Sequence, residues 1–126
     1  MGTLVKTEAL KGGEFLIKES NPQDIFIPEN FSEEQKMMAE ACMDFVKKEI
    51  WPLTDRIEKQ EEGLVPSLLE KAGELGLLGV STPEEYGGLE MSFNTSMLMA
   101  DIIGATGSFS TTFGAHTGIG TLPIQY

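Results

Sequence analysis

Few residues in this chain of 126 could carry catalytic chemistry. It contains a single histidine, His116, and a single cysteine, Cys42. A zinc site needs several such ligands, so no metal centre is expected. His116 could act as a general base, but its neighbours Ala115 and Thr117 offer no partner to hold the ring. We therefore interpret His116 as a structural hydrogen-bond donor, and Cys42, which lies in an apolar helical pattern, as a small buried hydrophobe.

Three pairs of adjacent glutamates could suggest acid–base chemistry: Glu33-Glu34, Glu61-Glu62 and Glu84-Glu85. The first pair lies at the expected start of a helix, where the helix dipole favours negative charge. The second closes a solvent-exposed helix, and the third lies in a predicted loop. We interpret the first two pairs as solvent-facing charge and leave the loop pair open. No catalytic residue is therefore assigned in this chain.

The glycines near the end of the chain are more informative. Gly114, Gly118 and Gly120 have the spacing GxxxGxG, which differs from the GxGxxG of dinucleotide-binding loops. In a helix, Gly107, Thr111, Gly114 and Gly118 would share one face. Each glycine inside a helix costs about 1 kcal/mol relative to alanine, so we expect something to pack closely against this face. Either another helix or a long apolar ligand would satisfy the pattern.

The charge distribution excludes several classes of partner. The formal net charge is -11, and no Lys or Arg follows Lys71. Such a field disfavours nucleic acid and anionic lipid, and the second half of the chain lacks cations to bind phosphates. The segment from Ile102 to Tyr126 carries no formal charge, but its many Gly, Ser and Thr residues argue against a membrane span. The first residues resemble no signal or transit peptide, which favours a cytoplasmic location.

Four helices are predicted from the apolar periodicity and the capping residues, giving an all-α bundle. The first begins at Ser32, in a capping box with Gln35, kinks near Trp51 because of Pro52, and ends at Gly63. The second opens with Pro66 in its first turn, and the sequence GELGLLG breaks it. The others are predicted from Asn94 or Thr95 to Ala105, and from a cap at Ser108 or Ser110 to the chain end. Residues 1–30 form an extended lead-in, whose two short apolar groups could lie on a surface or pair as a hairpin.

Three segments of the sequence together resemble the amino-terminal α domain of the acyl-CoA dehydrogenases. They are SEEQKMMAEACMDFVKKEIWP, EKAGELGLLGVSTPEEYGGLEMS and GAHTGIGTLPIQY. The order and spacing of all three carry the resemblance, which runs from about Lys11 to Tyr126. The lead-in KGGEFLIKE and the GAH at Gly114–His116 are most similar to bacterial long-chain and very-long-chain members.

The resemblance implies the fold and the reaction of a complete enzyme. Residues 31–126 would be the first α domain, truncated before a middle β domain and a carboxy-terminal α domain. The family oxidises fatty acyl-CoA to trans-2-enoyl-CoA with FAD, which lies between the other two domains. The base that removes the α proton of the substrate is a glutamate of the last domain, or of a preceding helix in some branches. Glu84, Glu85 and Glu90 of this chain do not match its position. This chain alone is then expected to bind no FAD and to be inactive. Electron-transferring flavoprotein as acceptor and a homo-oligomer are also implied.

The resemblance also assigns a site. In this family the first domain contributes one wall of the acyl-chain pocket, near the start of its fourth helix. Matched by spacing to the LPI segment, these positions are Thr111, Thr112, Gly114 and Ala115. Medium-chain members have a larger acidic residue at the place of Ala115, where it floors the pocket. The alanine therefore implies room for a longer chain.

Two other functions remain open from the sequence. A free-standing helical module could bind apolar ligands or a protein partner through its glycine face and through Phe113, Ile119 and Leu122. A purely structural four-helix unit could pair through the same face. The uncharged run from Ile102 to Tyr126 favours an interface in each case, since extended apolar surface marks contact sites.

Overall fold

The computed structural model describes residue 10 and residues 12–126. The chain divides into two compact units, Met1–Ser32 and Glu33–Tyr126. Every regular element in the described residues is helical, and none of those residues forms a strand. The predicted all-α class is confirmed.

The described part of the first unit consists of short turns. Single 3₁₀ turns occur at Glu14–Leu16, Pro22–Asp24 and Pro28–Asn30. The Leu10 N–H donates to the Asp24 carbonyl at 2.8 Å. Two prolines at the starts of these turns fix φ and favour such compact, irregular backbone. The possible hairpin is therefore not formed within the described residues.

The first helix of the second unit is α1, Glu33–Phe45, and it does not run straight into the next. A π-helical turn covers Val46–Ile50, a 3₁₀ turn covers Trp51–Leu53, and α2 then spans Thr54–Glu58. Pro52 lacks an N–H, and its ring would clash with the carbonyl four residues earlier, so the backbone widens before it. The kink expected near Trp51 is confirmed.

Helix α2 ends earlier than predicted. The Glu61 N–H donates to the Arg56 carbonyl at 3.1 Å, and the Gln60 N–H to the Ile57 carbonyl at 2.9 Å. Gln60 has φ of 56°. These are the bonds of a Schellman motif with Gln60 in the left-handed position. The prediction that Gly63 ends this helix is wrong, because Gly63, with φ of 77°, instead precedes the next one.

Helix α3 spans Leu64–Glu74, and Pro66 lies in its first turn as expected. Gly76 then adopts φ of 75° and breaks the helix. The loop that follows contains 3₁₀ turns at Leu77–Gly79 and Glu84–Tyr86. It folds back on itself, and a side chain at Gly88 would place Cβ 2.0 Å from the Thr82 carbonyl oxygen. Only glycine allows this approach.

Helix α4 spans Phe93–Gly104 and packs against α1. The Gln35 side-chain amide on α1 donates to Ser92 Oγ at 3.1 Å and to Thr95 Oγ1 at 2.9 Å. Thr95 is fully buried, so this contact satisfies a polar group at the helix interface. Gln35 thus joins the start of α1 to the start of α4.

The last helical stretch is built from three pieces. Helix α5 spans Ser108–Ala115, a π-helical turn covers His116–Gly120, and α6 spans Leu122–Gln125. Counting α1 with α2 and α5 with α6, the described chain has the four helical segments expected from the sequence. Helix α5 begins at Ser108, and Gly107 lies in the turn before it and not on its face.

One core joins these helices. Its members are the buried apolar side chains of every segment: Cys42, Phe45, Val46, Ile50, Ile57, Leu68, Ala72, Leu77, Val80, Met99, Ile103, Phe109 and Phe113. Burial raises the pKa of the Cys42 thiol to about 11, since a thiolate would be desolvated there. The interpretation of Cys42 as a buried hydrophobe is confirmed. Among the described residues, no helix is long and apolar enough to cross a membrane.

Candidate functional site

Helix α5 carries all four residues predicted to line a pocket, and aromatic packing fixes its inner face. Phe109 is fully buried, and Phe113 is 7% exposed. The Phe109 ring lies 6.1 Å from the ring of Phe45 on α1 and 6.2 Å from that of Phe113, centroid to centroid. Tilted aromatic pairs at this distance are favourable beyond the area that they bury. The opposite faces of α5 are therefore held out from the core.

The start of α5 is held by a residue that the sequence analysis missed. Glu58, at the end of α2, accepts the Ser108 backbone N–H at 3.0 Å and the Ser108 hydroxyl at 2.6 Å. These hydrogen bonds from Ser108 lower the pKa of the Glu58 carboxyl. The cap predicted from Ser108 or Ser110 is wrong, because the acceptor for the first N–H comes from another helix. Since the two residues are far apart in sequence, no local motif signals the contact.

Gly107 makes this contact possible. Its φ is 61° and its ψ is -132°, a combination that favours glycine. A Cβ at this position would lie 2.8 Å from Glu58 Oε1. The Ser110 hydroxyl donates to the Gly107 carbonyl at 2.7 Å and closes the turn. The glycine is therefore needed for the turn, and not for packing along the helix.

The four predicted pocket residues do not share one cavity in this chain. Thr111 and Ala115 are exposed on the outer face of α5. Thr112 is half-buried and lines a groove toward α3. Gly114 lines a different groove toward α4. On the outer face of α5, Thr111 and Ala115 therefore lie between Thr112, which borders the groove toward α3, and Gly114, which borders the groove toward α4.

The groove beside Gly114, termed the α4–α5 groove, has a volume of about 590 Å³. None of its lining residues is an Asp, Glu, Lys, Arg or His. The Ser96 hydroxyl belongs to this lining, and its oxygen is buried without a hydrogen-bond partner in the described structure. A cavity of this size and polarity suits an apolar chain, with one polar group available for orientation.

The glycine face of the helical stretch is open. A Cβ built on Gly114 or Gly118 would meet nothing within 4 Å. The expected close neighbour of this face is therefore not supplied by the described residues of the chain. These glycines still lower the stability of the helix relative to alanine. We therefore expect a ligand or a protein segment to occupy the space beside them.

The π-helical turn after Ala115 widens the backbone at the same place. It precedes Pro123, from which Thr121 and Leu122 separate it, as the first π turn precedes Pro52. The Thr121 hydroxyl donates to the His116 carbonyl at 2.5 Å, and the Thr117 hydroxyl to the Phe113 carbonyl at 3.0 Å. Such turns within helices recur at functional sites. Pro123 is a sequence signal for this interruption of the helix, because proline lacks the N–H of a regular helical turn.

His116 is exposed at the edge of a second groove, of about 370 Å³, which we call the α3–α5 groove. Its ring makes no hydrogen bond with the described residues, so the role of structural donor has no partner there. No acidic side chain orients the ring as a base either. Within the described chain, no group of three or more His, Cys, Asp or Glu residues could hold a metal ion. The grooves have room for an apolar group, and no set of catalytic side chains is assembled among residues 12–126.

Two of the acidic pairs form ion pairs, and Glu33 of the first pair contacts Lys36 at 2.9 Å. Glu61 forms an ion pair with Arg56, which lowers the pKa of the Glu61 carboxyl. Glu90 accepts the backbone N–H of Glu84 at 3.3 Å. The two ion pairs are exposed, as expected for solvent-facing charge. The contact at Glu84 uses its backbone, so the role of the Glu84 and Glu85 carboxylates stays open.

A sequence model described as "Acyl-CoA dehydrogenase, N-terminal domain" matches residues 32–126. A probable acyl-CoA dehydrogenase of Bacillus subtilis (strain 168) is 44% identical over 116 residues, which are 92% of this chain and 20% of that protein. The human mitochondrial short-chain specific acyl-CoA dehydrogenase is 35% identical over 72 residues, covering 56% of this chain and 16% of its own length.

A crystal structure is also similar over nearly the same range. It is that of an acyl-CoA dehydrogenase complexed with FAD from Bacillus anthracis, with a TM-score of 0.85 and 46% identity. The match covers 92% of this chain and 20% of that one. The chain therefore spans about a fifth of the length of these two bacillary relatives.

Proposed function

The chain belongs to the acyl-CoA dehydrogenase family, and we propose that it forms one wall of the acyl-chain pocket in an FAD-dependent acyl-CoA dehydrogenase. The complete enzyme would convert a fatty acyl-CoA to the trans-2-enoyl-CoA, as the family resemblance implies. The observation that carries the proposal is the open glycine face of α5, beside an uncharged groove of about 590 Å³. An acyl chain has the shape and polarity to cover such a surface.

The described residues do not fit FAD itself. The cofactor carries a pyrophosphate, which proteins bind with backbone N–H groups at a glycine loop or with cations. No Lys or Arg follows Lys71, and the Lys71 ammonium is paired with Glu49 at 2.5 Å. The α4–α5 groove offers no charged group. We therefore assign FAD to other parts of the complete enzyme and derive no step through it from this chain.

The role of these residues is to hold the acyl chain and to exclude water. Thr111, Thr112, Gly114 and Ala115 are small, so the wall that they form is shallow and leaves space for a long chain. Each methylene that leaves water contributes about 0.8 kcal/mol, or about fourfold in binding. A longer accessible pocket thus translates directly into preference for longer substrates.

The substitution Ala115→Gln in the complete enzyme tests the proposal. A larger polar side chain at the pocket floor should lower kcat/KM for long acyl-CoA substrates while sparing short ones. The matched control is Ala105→Gln, which makes the same change at an exposed position at the end of α4. An unchanged chain-length profile in Ala115→Gln, equal to that of the control, would refute the assignment of Ala115 to the pocket.

Three further properties follow from the family resemblance as proposals. Electron-transferring flavoprotein would accept the electrons, and the enzyme would be a homo-oligomer. A cytoplasmic location is the third of these proposals. The electron acceptor is tested by mixing purified electron-transferring flavoprotein with the enzyme and its substrate and measuring reduction of the acceptor. Sedimentation of the complete enzyme measures its oligomeric state.

A second candidate function is supported by the same groove. A helical module could bind an apolar ligand by itself, with the unpaired Ser96 hydroxyl as its polar contact. Titration of the 126-residue chain with a fluorescent fatty acid separates the two functions. Saturable binding that is lost in Ser96→Ala would favour the module, and absence of binding would favour a pocket completed by other domains.

A further inference from the structure

The contact between Glu58 and Ser108 holds the first residue of α5. Both carboxylate oxygens of Glu58 are used, one by the Ser108 N–H and the other by its hydroxyl. A carboxylate at a helix N-terminus is also favoured by the helix dipole. Two hydrogen bonds from one residue restrict both the position and the rotation of the first turn of α5.

Both sides of this contact are well anchored. Ile57, next to Glu58, is 3% exposed and belongs to the core. Phe109, next to Ser108, is fully buried. Gly107 provides the space for the carboxylate, since any Cβ there would lie 2.8 Å from Glu58 Oε1. The contact therefore connects two rigid points of the fold.

The same contact lies in line with the proposed pocket wall. Ser108, Thr111, Thr112 and Ala115 are spaced by three, four and seven residues along α5, so they share one face of the helix. A rotation or outward shift of the first turn of α5 would also move the residues that follow Ser108 on this face. The positions of Thr111 and Ala115 relative to an acyl chain depend on how Ser108 is held.

We propose that Glu58 is a positioning residue that sets the acyl-chain selectivity of the enzyme by fixing the start of α5 through Ser108. This inference rests on the proposed function, because it concerns the wall assigned above. Glu58 does not touch the substrate. It determines the position of α5 in the pocket wall, and the small side chains of that wall determine how much space is left for the acyl chain.

The test compares two variants of the complete enzyme, Glu58→Ala and Glu62→Ala. Both carboxylates border the same surface depression, of about 470 Å³, but Glu62 forms no hydrogen bond with the described residues. The readout is the ratio of kcat/KM for a long-chain to that for a medium-chain acyl-CoA. We expect this ratio to fall about tenfold in Glu58→Ala, since a misplacement of about 1 Å can cost as much as about 100-fold. Glu62→Ala should keep the parent ratio.

Two more variants separate positioning from simple loss of stability. Ser108→Ala removes the partner hydroxyl and should lower the ratio in the same direction, with no further loss when combined with Glu58→Ala. Glu58→Gln keeps an oxygen that accepts the Ser108 N–H and should restore much of the selectivity. FAD content and thermal midpoint are measured for each variant, so that a folding defect is recognised.

The outcomes distinguish this inference from the proposed function. An unchanged ratio in Glu58→Ala, or additive losses in the double variant, would overturn the positioning role while the proposed function stands. A ratio that falls equally in Glu62→Ala would overturn it as well. A parent enzyme that oxidises no acyl-CoA would refute the proposed function, and with it the inference.

Discussion

Replacing Gly114 by alanine should stabilise the folded chain. Gly114 lies in the helical stretch that starts with α5, and a Cβ at this position would meet nothing within 4 Å. Because alanine is favoured over glycine in a helix by about 1 kcal/mol, the free energy of unfolding should rise by about that amount. For a folded unit of this size, a gain of about 1 kcal/mol raises the thermal midpoint by about 4–8 °C.

The measurement is urea unfolding of the 126-residue chain followed by far-UV circular dichroism. Several protein concentrations are needed, since self-association through the open face would make the midpoint depend on concentration. The matched control is Gly107→Ala, where φ of 61° and the close Glu58 oxygen oppose a side chain. This control should lose stability, by about 1–3 kcal/mol from backbone strain alone.

A loss of stability in Gly114→Ala would refute the reasoning. It would mean that a side chain at this position meets a neighbour, and that the glycine face is closed. The α4–α5 groove would then be unavailable to an acyl chain in this conformation. Equal changes in the free energy of unfolding in Gly114→Ala and Gly107→Ala would also refute it, because the structure predicts a gain for the first and a loss for the second.

Three further predictions test the packing and the electrostatics. Phe109→Ala should lower the free energy of unfolding by about 3–5 kcal/mol, since it empties the space beside Phe45 and Phe113; urea unfolding measures this. Cys42 should resist a thiol reagent at mildly alkaline pH in the folded chain and react after denaturation, because burial raises its pKa to about 11. Glu58 has a lowered pKa, so its contribution to stability is present above its unfolded pKa and lost as the pH falls through the folded value. The thermal midpoint of Glu58→Gln should therefore approach that of the parent chain in acid, and a constant difference at every pH would contradict the assignment.

The helices were predictable because their signals are local. Pro52 interrupts an otherwise continuous apolar stripe, and the kink occurs where its ring and missing N–H require it. Pro66 and Gly76 mark a start and an end by their fixed or permissive backbone angles. Gln60 was missed as a helix end because glycine is the usual residue in the left-handed position and Gly63 was close by.

The site was less predictable because its geometry depends on distant residues. Glu58 and Ser108 meet only after the bundle folds, and no spacing in the sequence pairs them. Gly107 was placed on the helix face since periodicity alone cannot separate a turn glycine from a helical one. The matched positions Thr111, Thr112, Gly114 and Ala115 do lie on α5, but Thr112 and Gly114 border two different grooves.

We propose above that this chain forms one wall of the acyl-chain pocket in a flavin-dependent acyl-CoA dehydrogenase. The most direct measurement mixes the complete protein, without oxygen, with acyl-CoA substrates of increasing length and follows the visible absorbance of the oxidised flavin. We expect bleaching that is most efficient with long chains, and a shift toward shorter chains in Ala115→Gln. A protein that binds no flavin, or whose flavin no acyl-CoA bleaches, would contradict it.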